Sequence, residues 1–199
     1  VIPSQLFYYG MLTIKPTRGD KLIHRIANNN VRKQYYNYLL EMFSEKAYLN
    51  TNQLTDYYYD MAYDGRWREG LQFLADSYAK VSSVRDGIEA ERNLQGFFMA
   101  YLNLNNYYYT APELELNHGF CDFFLLPDLT HYPTKHSYIL ELKLIPKKEK
   151  GMSGKVHEEL IAKQWQEAEL QIKKYAEAPR VEALRQETQL HRIIMQFDG

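Results

Sequence analysis

Three charged side chains stand where strands should be dry: Asp122, Glu141 and Lys143. Residues 120–126 and 138–145 are two runs dominated by apolar residues, separated by a loop that contains Pro127 and Pro133. Both have strand length and composition, and antiparallel neighbours are their simplest arrangement. Alternation puts Ser137, Ile139, Glu141, Lys143 and Ile145 on one face and Tyr138, Leu140, Leu142 and Leu144 on the other. A strand apolar on nearly every position is covered on both sides, so Glu141 and Lys143 are poorly solvated. The same alternation sets Asp122 between Phe120 and Phe124 on its face. Ionised groups are rarely buried without partners, because desolvation costs several kcal/mol unless it is offset. Two arrangements answer that need. One is a structural Glu–Lys or Asp–Lys pair, or a charged face that looks at water. The other is a divalent-cation site, in which carboxylates from adjacent strands converge on a hard ion such as Mg²⁺ that prefers oxygen ligands and keeps several waters. A lysine two residues along the strand is then placed to orient or activate such a water.

The flanking pattern says what would position these groups. Residues 85–104 read as a helix whose apolar stripe is Leu94, Phe97, Phe98, Tyr101 and Leu102, and Glu91 falls inside that stripe. A carboxylate on a buried helix face needs a lysine, a backbone donor or a cation. Glu113 and Glu115, alternating with Leu114 and Leu116, indicate an earlier strand with one polar face. After Lys143 comes a polar loop with two glycines and a proline, carrying Lys147, Lys148 and Lys150. Residues 158–178 form a second long helix closed by Pro179, with Ile161, Trp165, Ala168, Ile172 and Tyr175 as its stripe and Gln164 and Gln171 along one edge. Residues 190–197 read as a further strand. Nearer the start, residues 6–14 and 22–26 read as strands around a turn. An amphipathic helix then follows an Asn28–Asn30 cap through Val31, Tyr35, Tyr38, Leu39 and Met42, with helices over 54–62 and 71–80 after it.

Composition narrows the class. The length of 199 residues suits one good-sized domain, or a domain with an extension, and 45% hydrophobic with 25% charged residues is ordinary for a globular chain. The balance of 24 basic against 25 acidic residues, net −1, counts mildly against a nucleic-acid binder without excluding a local basic patch. The 18 tyrosines include runs at 57–59 and 107–109. Such runs can stack on bases, but amphipathic core edges are the favoured reading. The single cysteine, Cys121, excludes an internal disulfide and reads as a core thiol suited to a reducing cytoplasm. No secretory leader and no membrane-length apolar run is expected. Both ends look cut from something longer.

Asp122, followed after a loop by Glu141-Leu142-Lys143, resembles the D…(D/E)xK signature of the PD-(D/E)XK nuclease superfamily, with Gly119 to Asp122 supplying a G-x-x-D strand start. The stretches FYYGMLTI, NNNVRKQYYNYL, ERNLQGFFMAYL, ELELNHGFCDFFLLPD, SYILELK and QIKKYAEA extend the likeness over most of the chain. They resemble the nuclease-like domain at the C-terminus of bacterial proteins with an AAA-ATPase-like N-terminal domain. The resemblance implies an α/β fold: a restriction-endonuclease-like mixed sheet flanked by helices over 83–199, with an N-terminal β-hairpin and helical extension over 1–82.

The resemblance also implies chemistry. Asp122, Glu141 and the backbone carbonyl of Leu142 would hold Mg²⁺ or Mn²⁺, and Lys143 would position the attacking water. Glu91, with Glu89 as fallback, matches an acidic residue of the helix before the first core strand. Gln171 matches a helix glutamine that points toward the site. The substrate would be nucleic acid, chiefly DNA, and the partner an attached ATPase-like domain. One departure stands out: many relatives carry Gly-Arg-x-Asp, whereas this chain has Gly119-Phe120-Cys121-Asp122, so an arginine and its phosphate contact are missing. The rival readings are a non-catalytic nuclease-fold module that binds or regulates, and a structural dimerisation domain with a tyrosine-rich surface.

Overall fold

The computed structural model describes residues 12–15, 23–26, 29–45, 49–81, 88–117, 119–145, 148 and 152–198. A short antiparallel hairpin comes first, β1 (Leu12–Lys15) with β2 (Ile23–Ile26). Four helices follow: α1 (Asn29–Ser44), α2 (Thr51–Asp64), α3 (Arg68–Val81) and α4 (Ile88–Leu102). The main sheet is β3 (Tyr108–Leu116), β4 (Gly119–Pro127), β5 (His136–Ile145) and β6 (Gln189–Asp198), with α5 (Gly154–Ala176) and α6 (Pro179–Arg185) between the last two strands. Its order is β3-β4-β5-β6; the first two pairings are antiparallel and the last is parallel. A mixed four-stranded sheet flanked by helices, preceded by a mainly helical part, agrees with the restriction-endonuclease-like α/β expectation. The strand expected over 6–14 lies partly outside the described residues, as do Lys147 and Lys150.

Each face of the sheet has its own core. On one face Tyr138, Leu140 and Leu142 of β5 join Phe123 and Leu125 of β4 and Ile193 and Phe197 of β6, under Leu94, Phe97, Phe98 and Tyr101 of α4 and the helices before it. On the other face Ile139, Cys121 and Phe124 pack against Ile172 and Tyr175 of α5 and Val181 of α6. The parallel β5–β6 pair therefore lies between two apolar layers, which is why β5 is almost continuously apolar. The tyrosine runs are mostly core edges: Tyr58 is buried and its hydroxyl donates to the Tyr101 carbonyl at 2.6 Å, while Tyr107 meets Tyr59, Tyr63 and Tyr132 edge to face.

Two expectations about α5 and α6 change. Only the second half of the α5 stripe is buried, at Ala168, Ile172 and Tyr175, whereas Trp165 stays exposed and Ile161 half-buried. The first half of the helix runs past the apolar surface that the stripe would cover. Pro179 does close α5, but it also occupies the first turn of α6, a place where its missing N–H costs nothing.

Candidate active site

The strands β4 and β5 pair only over Phe123↔Leu140, Phe124↔Ile139 and Leu125↔Tyr138. One register further would bring Asp122 opposite Glu141, and there the ladder stops. The pleat of β4 breaks at the same place. Cys121 and Phe124, three residues apart, pack into the same α5-side core, as do Ala111 and Leu114 of the neighbouring β3. Between the last two lies Glu113, a non-glycine residue at φ 47°, in line with Asp122 in the β3–β4 register. Such irregularities in a strand re-aim a side chain. The alternation that set Asp122 on one face with Phe120 and Phe124 is thus corrected: Phe124 is fully buried, Phe120 is exposed and Asp122 stands at the break.

Asp122 turns toward β5. Its Oδ2 accepts the backbone N–H of Leu142 at 2.7 Å, standing in for the ladder bond that β4 no longer makes, and its Oδ1 accepts from Gln95 Nε2 of α4 at 3.3 Å. Burial, and then the Glu141 charge, push the Asp122 carboxyl up to about 6, against the pull of the Leu142 amide, Lys143 and Gln95. Glu141 is 2% exposed. Its Oε1 accepts from Lys143 Nζ at 2.7 Å, and its Oε2 is buried without a hydrogen-bond partner among the described residues.

The lysine is held from the helix side. Lys143 Nζ also donates to Gln171 Oε1 at 3.3 Å, and Gln171 Nε2 bonds the Tyr175 hydroxyl. That hydroxyl, kept protonated by burial, donates to the Phe120 carbonyl at 2.8 Å. The Tyr175 ring lies so close to Gly119 that a Cβ there would meet its Cε1 at 2.7 Å, which explains the glycine that opens β4. A chain of contacts therefore runs from Glu141 through Lys143, Gln171 and Tyr175 to the backbone beside Asp122.

The structure brings together Asp122, Glu141, Leu142, Lys143 and Gln171. It does not bring in Glu91, whose side chain is exposed instead of buried on the α4 stripe. The angular phase was right and the height was not. Gln95, one helical turn further on, is the residue that reaches Asp122. The Glu89 side chain lies outside the described residues. Glu113 and Glu115 are exposed. Lys148 is exposed. Gln164 ties the sheet edge together, donating to the Leu144 carbonyl and accepting from Gln196, both at 2.9 Å. Cys121 is a free, buried thiol pushed up to about 12 by burial and the Glu141 charge. Gln95 and Tyr175 are site residues that the sequence pattern does not single out. Gln95 was findable as the i+4 neighbour of Glu91, and Tyr175 as the i+4 neighbour of Gln171.

Two acidic side chains at parted strands, with a lysine on the second strand, are a fit for a hard divalent cation. Glu141 Oε2 is an orphaned buried acceptor, Asp122 is a neighbouring carboxylate, and both are oxygen donors of the kind Mg²⁺ and Mn²⁺ take. Among the described residues no group of three or more His, Cys, Asp and Glu side chains gathers as a metal cluster. The carboxylates would therefore share the ion with backbone or water oxygens.

This mixed sheet and its Asp…Glu-x-Lys set define a class of nuclease-like α/β domain. The family model of the PD-(D/E)XK nuclease superfamily matches residues 89–199, more than half of the chain, and the chain belongs to that superfamily. Membership points to nuclease activity in general and to divalent-metal dependence as typical. Searches of curated proteins and of solved structures found no significant match. No helix among the described residues is long and apolar enough to cross a membrane.

Proposed function

We propose that the domain over 83–199 hydrolyses phosphodiesters of nucleic acid, DNA in the first instance, with Mg²⁺ or Mn²⁺ at Asp122 and Glu141. The observation that carries this reading is the buried Glu141 Oε2, unpartnered among the described residues, beside Asp122 where β4 and β5 part. Leaving a buried carboxylate oxygen unbonded costs free energy, and a bound cation offsets that cost. The ion would supply Lewis-acid polarisation of the phosphoryl oxygen and a lowered pKa for a nearby water. Asp122 and Glu141, with the Leu142 carbonyl, hold it. Lys143 orients the attacking water and offsets charge that develops on the phosphate. Gln171 fixes the lysine through its amide oxygen, and Tyr175 fixes the glutamine. Gln95 holds the Asp122 rotamer. Glu91, exposed one turn before Gln95, is left out of the proposed ion site. An attached ATPase-like domain is the proposed partner.

The non-catalytic alternative draws on the net charge of −1 and on the missing arginine at Phe120. One assay separates the two: plasmid and single-strand cleavage with Mg²⁺, with Mn²⁺ and with chelator, for wild type and Lys143→Ala. The expected result is metal-dependent cleavage by wild type, reduced roughly 10²–10³-fold in Lys143→Ala while metal binding survives. A wild type that cleaves no nucleic acid and melts identically with and without Mn²⁺ is the result that defeats the nuclease reading.

A further inference from the structure

β6 is the last strand of the sheet, and among the described residues no strand pairs with its outer edge. At its start the Gln189 N–H donates to the Lys135 carbonyl at 2.8 Å, toward β5. Backbone groups alternate sides along a strand, so Arg192, Ile194 and Gln196 turn their N–H and C=O groups away from β5. These residues line a cleft of about 1120 Å³. Trp67 and α3 wall it on one face of the sheet, and α5, with Trp165, walls it on the other. The floor from Arg192 to Phe197 spans roughly 17 Å.

An open edge is a template for another strand, and proteins blunt such edges with proline, with a bulge or by keeping the strand short. β6 runs for 10 residues without a proline, and none of them takes a positive φ. The walls decide what can reach it. The β6 edge of a second copy arrives between its own α3 and α5, and those helices meet the same walls head-on. A single extended segment passes between them.

The two walls differ in chemistry, and an added strand aims alternate side chains at each. Trp67, Leu71 and Ala75 make the α3 side apolar. At its rim the Arg68 guanidinium lies over the Trp67 ring at 4.8 Å, and Glu69 beside it offsets the charge. On the other side Ile194 packs with Ile172 of α5, which puts Arg192, two residues earlier, on that same face. There Arg192 and Lys173, both exposed, stand against one carboxylate, Glu169, which already accepts the Trp165 Nε1–H at 2.9 Å.

We infer that this cleft takes an extended segment of a partner protein, which adds a fifth strand beside β6 and alternates apolar with acidic side chains. The inference stands apart from the nuclease reading, because no residue of the cleft belongs to the proposed ion site.

The chain has 2 tryptophans, and both line the cleft, so indole emission reports its occupancy. The probes are acetylated octapeptides: alternating valine and glutamate, alternating valine and lysine, and the valine–glutamate peptide N-methylated either at its valines or at its glutamates. The valine–glutamate peptide should shift indole emission and slow amide exchange at Arg192, Ile194 and Gln196. Methylating one set of residues should weaken binding about tenfold or more, and methylating the other set should not, because a strand shows only alternate N–H groups to its neighbour. The double variant Lys173→Glu, Arg192→Glu changes two exposed side chains, and thermal melting checks that it folds. It should bind the valine–glutamate peptide about tenfold more weakly and gain affinity for the valine–lysine one. No binding of the valine–glutamate peptide, equal binding of the two charge patterns by wild type, or equal loss from both methylations overturns the inference. Edge amides already protected in the free protein overturn it too, and protection that grows with protein concentration would assign the edge to a second copy instead.

Discussion

The same two strands, β4 and β5, behave oppositely over their two halves. Where Phe123, Phe124 and Leu125 pair with Leu140, Ile139 and Tyr138, all six residues are essentially inaccessible to solvent and the ladder is regular. Immediately past Phe123 the ladder ends, Asp122 takes the Leu142 amide with a side chain, and Glu141 keeps an oxygen that nothing among the described residues satisfies. The paired half contributes stability and fixes the register. The parted half sacrifices backbone pairing and gains two aimed carboxylates. Bistrand geometry thus separates folding from chemistry by a single residue, and substitutions on the two sides of that boundary should fail in different ways.

The largest expected effect is on the paired side. Phe124→Ala removes a fully buried ring from the α5-side core and should cost about 3–5 kcal/mol in urea unfolding. Any loss of metal affinity should track the loss of folded protein. The next concerns the boundary itself. Asp122 titrates at about 6 in the fold against an ordinary 3.8. Between those values the folded state holds more protons than the unfolded state, so metal-free stability falls as pH rises through that window, by on the order of 2 kcal/mol. Unfolding curves across that window should show wild type losing stability relative to Asp122→Asn, whose amide oxygen can still accept from Leu142; Asp128 and Glu182, held below the usual carboxylate range, add the same opposite slope to both. A wild-type curve parallel to that of Asp122→Asn would break the assignment of a desolvated carboxyl beside Glu141. The smallest effect is at Gln95. Gln95→Leu leaves the Leu142 bond to Asp122 but removes the second anchor, so turnover should drop roughly 10-fold, as for loss of an outer hydrogen bond to a metal ligand, with little change in substrate KM. A change confined to KM would move Gln95 from positioning Asp122 to contacting substrate.

Much of this boundary could be read without coordinates. Asp122, Glu141 and Lys143 declared themselves as charges in apolar runs, and the two-sided burial of β5 followed from its composition. The parting of the strands did not, because it is accompanied by a positive φ at Glu113, and a glutamate gives no local sign of it. Helical projection gave the direction of Glu91 but not its height against the sheet, and so the residue that bonds Asp122 was one turn away. Tyr175 looked like stripe filler because its polar partners are a backbone carbonyl and a glutamine, neither of which leaves a pattern in spacing. Trp165 looked buried because an apolar stripe does not say where the surface beneath it ends.

Asp122 and Glu141 are proposed to hold one divalent ion at the point where β4 and β5 part. Anomalous difference density from a crystal soaked in Mn²⁺ tests it directly. A single strong peak bonded to both carboxylates is expected, absent from an Asp122→Asn crystal soaked in the same way. A wild-type map without a peak there, or with Glu141 bonded only to Lys143 and Mn²⁺ held elsewhere, would contradict it.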